Sequence, residues 1–343
     1  MLAIAKTKRV FGSVEFIDAP KPTVQYGQVL IKIKATAICG SDLHVYESPP
    51  GYEFMKVPNI LGHEYSGIVE AVGEGVTQFA VGDRVMAESN QFCGYCANCH
   101  EGRTHICVNN KMTGIHVDGG MAEYIAVPQV IVHKLPDKVS FEEASVAQPC
   151  AVSFHGVFDK SKIRPSDIVV VFGPGIVGLM AAQGAKIMGA RHVIVVGTDA
   201  DAAIRLPIAT KMGFSVINGQ QQDIKQELFN ITGEKAADVA VECAGAIPAV
   251  NQALKIVRKG GAITFIGVYS KPAEIFITDL IRNEISLDTS YTCQWKNYEQ
   301  ALQLIASGQV DLSHVMNIYP FQKGIDAFED ALAKKVLKPV LTL

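Results

Sequence analysis

Long apolar runs are missing from this sequence. The longest candidate, Ile168 to Gly178, is interrupted by Gly173, Pro174 and Gly175 and falls well short of the ~20 residues that a bilayer-spanning helix needs. Charge of one sign is also missing: 31 basic residues against 34 acidic give −3. No long basic run stands out, so the electrostatic footprint of nucleic-acid binding is absent. The first ten residues place Lys6, Lys8 and Arg9 after the apolar ones, the reverse of a secretory signal. The expectation is a soluble, cytoplasmic protein with no membrane and no nucleic-acid partner. Repeats and low-complexity stretches are lacking too. With 48% hydrophobic and only 19% charged residues, the chain has the composition of a folded protein.

What is there exceeds one ordinary core: 343 residues predict roughly two domains. The first part reads as short strands punctuated by glycine turns. Val29–Ala35 alternates apolar and polar, and Tyr65–Val72 and Arg84–Ala87 follow it. Phe141–Phe158 reads as mainly helix with a break at Pro149. Beyond it, apolar strands (Ile168–Phe172, His192–Val196, Ala237–Glu242, Ala262–Val268) alternate with helical runs (Ile176–Met188, Ala203–Met212, Ile247–Val257). That alternation predicts a parallel α/β sheet covered on both faces. Two more helices, Tyr298–Ser307 and Gln322–Ala333, and a strand from Lys338 to Leu343 close the chain.

Three patterns carry chemistry. The strand Ile168–Phe172 runs straight into Gly173-Pro-Gly175-Ile176-Val177-Gly178 and then a helix, the context in which G-x-G-x-x-G binds a dinucleotide pyrophosphate. The acidic residue expected ~20 residues on is replaced by Gly197, with Thr198 and Asp199 next. Asp199 either takes over the ribose contact or points to solvent. Because a carboxylate beside a 2′-phosphate is unfavourable, the reading leans to NAD over NADP. Second, Cys93, Cys96, Cys99 and Cys107 match a closed four-thiolate structural zinc site. Free cysteines, a redox pair and a nucleic-acid-binding zinc ribbon are the competing readings. Third, Cys39 and the pair His63-Glu64 form a plausible open, catalytic zinc shell. A buried free cysteine and a core histidine would explain the same residues.

Taken in order, Cys39, His63-Glu64, the four cysteines and the glycine motif resemble the zinc-containing medium-chain dehydrogenase/reductase family over essentially the whole chain. Gly119-Gly-Met-Ala-Glu123-Tyr124, Glu242-Cys-Ala-Gly245 and Arg258-Lys-Gly-Gly261 add to the likeness. Cys39-Gly-Ser-Asp-Leu-His44 and Thr289-Ser-Tyr-Thr-Cys-Gln-Trp295 are most similar to the sorbitol, polyol and sugar-acid branch. The resemblance implies an α/β protein: a Rossmann doubly wound parallel sheet domain, 149–287, inserted in a discontinuous β-rich GroES-like catalytic domain, 1–148 and 288–343, with the active site in the cleft between them. It implies two zinc ions per chain and a homodimer or homotetramer. Cys39 and His63 match the catalytic ligands, and Glu64 a glutamate that binds the metal in some states. Gln148 stands where the branch has a glutamate ligand, so a Gln148-held water, Cys150 or Glu64 could complete the shell, and Glu64 with the water is favoured. Ser41 and His44 match a proton relay. Gly173, Gly175, Ile176, Val177, Gly178, Thr198, Asp199, Gly245, Gly267 and Val268 are expected to contact the cofactor. Tyr46, Phe54, Ile115, His116, Tyr291 and Trp295 could line the substrate side.

The implied activity is hydride transfer between NAD(P) and a secondary hydroxyl of a polyol or sugar acid, with zinc as Lewis acid. The rivals are a threonine dehydrogenase, a simple alcohol dehydrogenase, a zinc-free quinone reductase and a non-enzymatic zinc-ribbon binding protein. The zinc ligands disfavour the third of these, and the glycine motif with the −3 charge disfavours the last.

Overall fold

The computed structural model describes residues 1–49 and 54–343. The chain divides into two compact units, one of residues 1–148, 294–308 and 316–343, the other of 149–293 and 309–315.

The first unit is built around the strand Gln28–Ala37. Its apolar residues Val29, Ile31 and Ile33 are buried while Lys32 is exposed, as the alternation requires. Along one edge it pairs antiparallel with Tyr65–Val72. On the other edge its first half pairs with Tyr124–Pro128 and its last residues with Lys338–Thr342. The C-terminal strand thereby enters the N-terminal sheet, and Met316–Pro320 extends that edge. A smaller three-stranded sheet has Leu2–Lys6 at its centre.

The second unit is a six-stranded parallel sheet. From edge to edge its strands are Ser215–Asn218, His192–Gly197, Ile168–Phe172, Ala237–Glu242, Val257–Phe265 and Ser286–Thr289. Numbered along the chain this is the order 3-2-1-4-5-6 of dinucleotide-binding sheets, with the reversal beside the first strand. That strand is buried along its whole length, which is why it reads as an unbroken apolar run. Residue 288, the sequence-based return point, lies inside Ser286–Thr289. This strand pairs with Val257–Phe265, so the compact first unit resumes only at Gln294.

Other expectations need correction. Pro149 does not break its helix: Phe141–Phe154 is continuous through it, and a π-helical turn, His155–Lys160, follows. Proline removes only one N–H from the helical ladder, and the helix runs on through both flanking turns. The strand expected at Ala262–Val268 runs instead from Val257 to Phe265. Its expected end is a turn, because the N–H groups of Ile266 and Gly267 both donate to the Glu242 carbonyl. Among the described residues no helix is long and apolar enough to cross a membrane.

One buried ionic group ties the returning helix Trp295–Ala306 to the first unit. His133 Nδ1 lies 2.6 Å from Glu299 Oε1 and its Nε2 lies 3.3 Å from Glu88 Oε1. Its ring stacks on Tyr298 and packs at a tilt against Trp295. Burial opposes the imidazolium, but the two carboxylates outweigh it and raise the His133 pKa. A raised folded-state value means the group's stabilisation is complete below the unfolded histidine pKa of ~6.5 and is lost as pH rises through the folded one. His133→Gln, which leaves Glu88 buried beside no cation, should cost about 3–5 kcal/mol in urea unfolding. The wild type should lose stability from neutral to alkaline pH more steeply than the variant, and parallel profiles would refute this role.

Candidate functional site

Two groups of metal-ligating side chains converge among the described residues, and both lie in the first unit. The first is Cys93, Cys96, Cys99 and Cys107. Their sulfurs are separated by 4.0 Å (93–99), 3.5 Å (96–99), 3.9 Å (96–107) and 3.5 Å (93–107). Four thiolates ~2.3 Å from one zinc would stand about 3.8 Å apart, so the cage has the size of a tetrahedral zinc site. No pair is at disulfide distance, and all four are free thiols. Main-chain N–H groups of Cys93 and Asn109 donate to Cys107 Sγ. The thiols push one another apart in acidity. Against partial burial, the Tyr95 N–H and the Asn109 amide pull Cys93 down to about 6, while burial and the neighbouring Cys96 push Cys99 up to about 12. Four thiolates this close ionise together only around a cation.

The second group is Cys39, His63 and Glu64, whose donor atoms lie within 4.8 Å of one another. Cys39 is the N-cap of the short helix Gly40–Glu47. Asp42, in the first turn of that helix, accepts the Cys39 N–H at 2.9 Å. The helix brings Asp42 Oδ1 to 3.8 Å from His63 Nδ1. Thr36, near the end of the central strand, donates its hydroxyl to the Glu64 carbonyl, and the Ala37 N–H donates to the same oxygen.

The group carries more negative than positive charge, and almost none of it reaches water. Asp42, His63 and Glu64 are at most 1% exposed. Asp42 Oδ1, His63 Nδ1 and Glu64 Oε1 find no hydrogen-bond partner. Burial alone would pull His63 down, but Asp42, Cys39 and Glu64 hold it up at about 9. Burial pushes the Asp42 carboxyl up, with His63 and the Cys39 N–H pulling against it. The answering cation is Lys338 of the C-terminal strand, 1% exposed. Its ammonium forms an ion pair with Glu64 and donates to the Ile38 carbonyl at 2.9 Å. Burial works against that charge, but Glu64, Cys39 and Asp42 raise the lysine pKa. Unfilled buried polar atoms around a thiolate, an imidazole and a carboxylate fit a divalent cation such as zinc.

Ser41 Oγ lies 3.4 Å from His63 Nε2. His44, exposed one turn on, faces Glu47 at 3.5 Å. Gln148 is buried and donates to Ser89 Oγ at 3.4 Å, and Ser89 in turn meets the Tyr298 hydroxyl. Cys150 is fully buried in its helix. The residues named for the substrate side have different immediate surroundings. Ile115 belongs to the apolar core around Leu61 and Met121. Tyr46 packs between Phe11 and Phe328. Phe54 leans on His116, whose Nδ1 accepts the Met112 N–H. Tyr291 and Trp295 remain half or more exposed. Asp42, Lys338, Ser89 and Tyr298 were not singled out in the sequence. For Lys338 a signal existed: a lone cation in the otherwise apolar strand Lys338–Thr342.

In the second unit the glycine motif stands as expected between strand and helix. Gly175 caps Ile176–Ile187. Gly173 has φ +95°, and a side chain on Gly178 would meet the Gly173 carbonyl at 1.8 Å. Helix and turn can therefore touch only without a Cβ there. Gly197 is packed against Leu206, Pro174 and Asp201, so a side chain at that position would require these neighbours to shift. Thr198 is tied to Asp201. Asp199, exposed at the strand end, accepts from Asn218 Nδ2 at 2.8 Å and Gln221 Nε2 at 2.9 Å.

Comparison with known proteins agrees with both units. Residues 25–137 match the alcohol dehydrogenase GroES-like domain and residues 177–307 the zinc-binding dehydrogenase domain. A sorbitol dehydrogenase of Halalkalibacterium halodurans is 37% identical, over 98% of each chain. An L-threonine 3-dehydrogenase of Salmonella paratyphi B is 35% identical, over 98% of this chain and 99% of its own. A zinc-binding dehydrogenase of Sinorhizobium meliloti, solved with NADP, superposes with a TM-score of 0.91 at 27% identity, covering 100% of this chain and 99% of its own. The chain thus belongs to the zinc-containing medium-chain dehydrogenase/reductase family, oxidoreductases built from a GroES-like domain and a nicotinamide-dinucleotide-binding domain.

Proposed function

We propose that this protein oxidises a secondary hydroxyl of a polyol or sugar acid, with NAD as the preferred hydride acceptor. The observation that carries the reading is the convergence of Cys39, His63 and Glu64 donor atoms within 4.8 Å, in a chain 37% identical to a sorbitol dehydrogenase. Cys39, His63 and Glu64 hold the catalytic zinc, and the four clustered cysteines hold a structural one. Bound zinc supplies a Lewis acid for the substrate oxygen, and the bound nicotinamide supplies the hydride acceptor.

The residues of the chain prepare that chemistry. Asp42, with Oδ1 3.8 Å from His63 Nδ1, acts on the imidazole by its charge and without a hydrogen bond to it. Three acidic groups, Cys39, Asp42 and Glu64, face one lysine, Lys338, so a divalent cation would balance them once His63 has given up its proton to bind it. Lys338 also competes for Glu64, so the glutamate is a ligand that can be released. Gln148, neutral and held by Ser89, offers hydrogen bonds without adding charge, which suits a hydroxyl-bearing substrate or a water. Ser41 takes the hydroxyl proton and His44, three residues on and on the same helical face, hands it to solvent. Asp199, at the end of the second strand of the parallel sheet, disfavours a 2′-phosphate, and its partners Asn218 and Gln221 hold it in place.

Metal analysis tests the two sites separately. Cys39→Ala should lose one zinc per chain and all activity while keeping the other ion. Cys107→Ser should lose the other ion. A Cys39→Ala protein with full zinc content would overturn the ligand assignment.

Ser41→Ala should reduce turnover by about 10²-fold at unchanged zinc content. Near-normal turnover would remove Ser41 from the proton path.

A panel of hexitols, pentitols, hexonates and L-threonine, assayed with NAD and NADP, tests the substrate class. The polyols or hexonates should give the highest kcat/KM, with NAD ahead of NADP. Asp199→Ser should shift the NADP/NAD ratio upward by at least about 10-fold, since a like-charge contact costs several kcal/mol. Threonine as the best substrate would replace the polyol reading.

A further inference from the structure

Another buried carboxylate lies far along the chain from Cys39, His63 and Glu64. Glu242, the last residue of Ala237–Glu242, is fully buried. Its Oε1 accepts the Ala244 N–H at 2.9 Å and its Oε2 the Gly245 N–H at 3.2 Å. The Tyr269 hydroxyl donates to the same Oε2. The Glu242 main-chain carbonyl accepts the Ile266 and Gly267 N–H groups at 2.8 and 3.0 Å. One residue therefore fastens the turn after its own strand to the turn after the neighbouring strand. The first turn abuts the glycine motif, since the Cys243 N–H donates to the Phe172 carbonyl and a Cβ on Gly173 would lie 2.9 Å from Ala244, and the second turn packs on the first, where a Cβ on Gly245 would lie 2.4 Å from the Val268 carbonyl. A Cβ on Gly267 would lie 2.5 Å from Glu242 Oε2, so only a glycine lets the second turn come this close to the carboxylate. At the tip of this assembly Val268 is 81% exposed, an apolar side chain presented to whatever the turns receive.

In a sheet of this order the dinucleotide straddles the reversal point. The adenosine half takes the side of His192–Gly197, where Asp199 stands. The nicotinamide half takes the side of Ala237–Glu242 and Val257–Phe265.

We propose that Tyr269 is a positioning residue for the nicotinamide half of the cofactor, acting through Glu242 on turns 243–245 and 266–268. The proposal rests on the dehydrogenase reading above. Tyr269 touches the carboxylate rather than the reacting atoms. Its hydroxyl saturates an oxygen that otherwise has only the long Gly245 contact, and so keeps both turns in one shape.

The test uses Tyr269→Phe, which keeps the ring against Phe265 and removes only the hydroxyl. The full-length, zinc-loaded protein is titrated with NADH by nicotinamide fluorescence and with ADP-ribose by calorimetry. ADP-ribose carries the adenosine half and lacks the nicotinamide. The NADH Kd should rise about 10-fold, the usual scale for a hydrogen bond to a charged group, while the ADP-ribose Kd stays within about two-fold. Glu242→Gln, which retains an acceptor oxygen, should show the same split and serves if the first variant fails to fold. Unchanged NADH binding, or equal weakening of both ligands, overturns the proposal. A wild type that binds neither ligand overturns the dehydrogenase reading instead.

Discussion

Around Glu64 the first unit gathers three acidic side chains, the buried Asp42 and Glu64 and the partly exposed Cys39, with one lysine and one histidine to answer them. Burying ionised groups costs several kcal/mol each unless they are paired, so this group dictates much of what surrounds it. It explains why the C-terminal strand carries Lys338 into the sheet, and why the helix after Cys39 begins with Asp42 in reach of the His63 ring. It also explains why polar atoms of His63, Asp42 and Glu64 are left without hydrogen-bond partners. In the proposed reading a divalent cation would complete the arrangement, and Lys338, paired with Glu64, would set how firmly the glutamate joins it.

The same logic recurs in the second unit on a neutral scale. There the constraint is close approach of main chains. The turns after Ile168–Phe172, Ala237–Glu242 and Val257–Phe265 interlock through Gly173, Gly178, Gly245 and Gly267, and Glu242 sits among them accepting hydrogen bonds through both its carbonyl and its carboxylate. Small residues let the turns meet, and one buried acid keeps them from sliding.

Much of this was legible before any coordinates. The four cysteines are close in sequence, so a short loop can only bring them together. The glycine motif sits between a buried strand and a helix, and local rules suffice to read it. The Ile224–Thr232 helix was missed although Asp223 caps it and Gly233 ends it, because its single apolar stripe is short. Pro149 misled because a proline's cost to a helix depends on whether neighbours re-satisfy the backbone, which local pattern does not reveal.

The sequence by itself determined the order of elements, the nature of the two metal-ligating sets and the place of the glycine motif. Each depends on residue type and short spacing. Tertiary structure alone decided that Lys338, some 270 residues from Glu64 along the chain, is its counter-ion. It also decided that Asp42 faces His63, that Gly197 packs closely against Leu206 and Pro174, and that Tyr269 closes the shell of Glu242. Those pairings arise from sheet register and from which main chains lie side by side, and a linear pattern does not encode distances between strands that meet only when the whole sheet has formed.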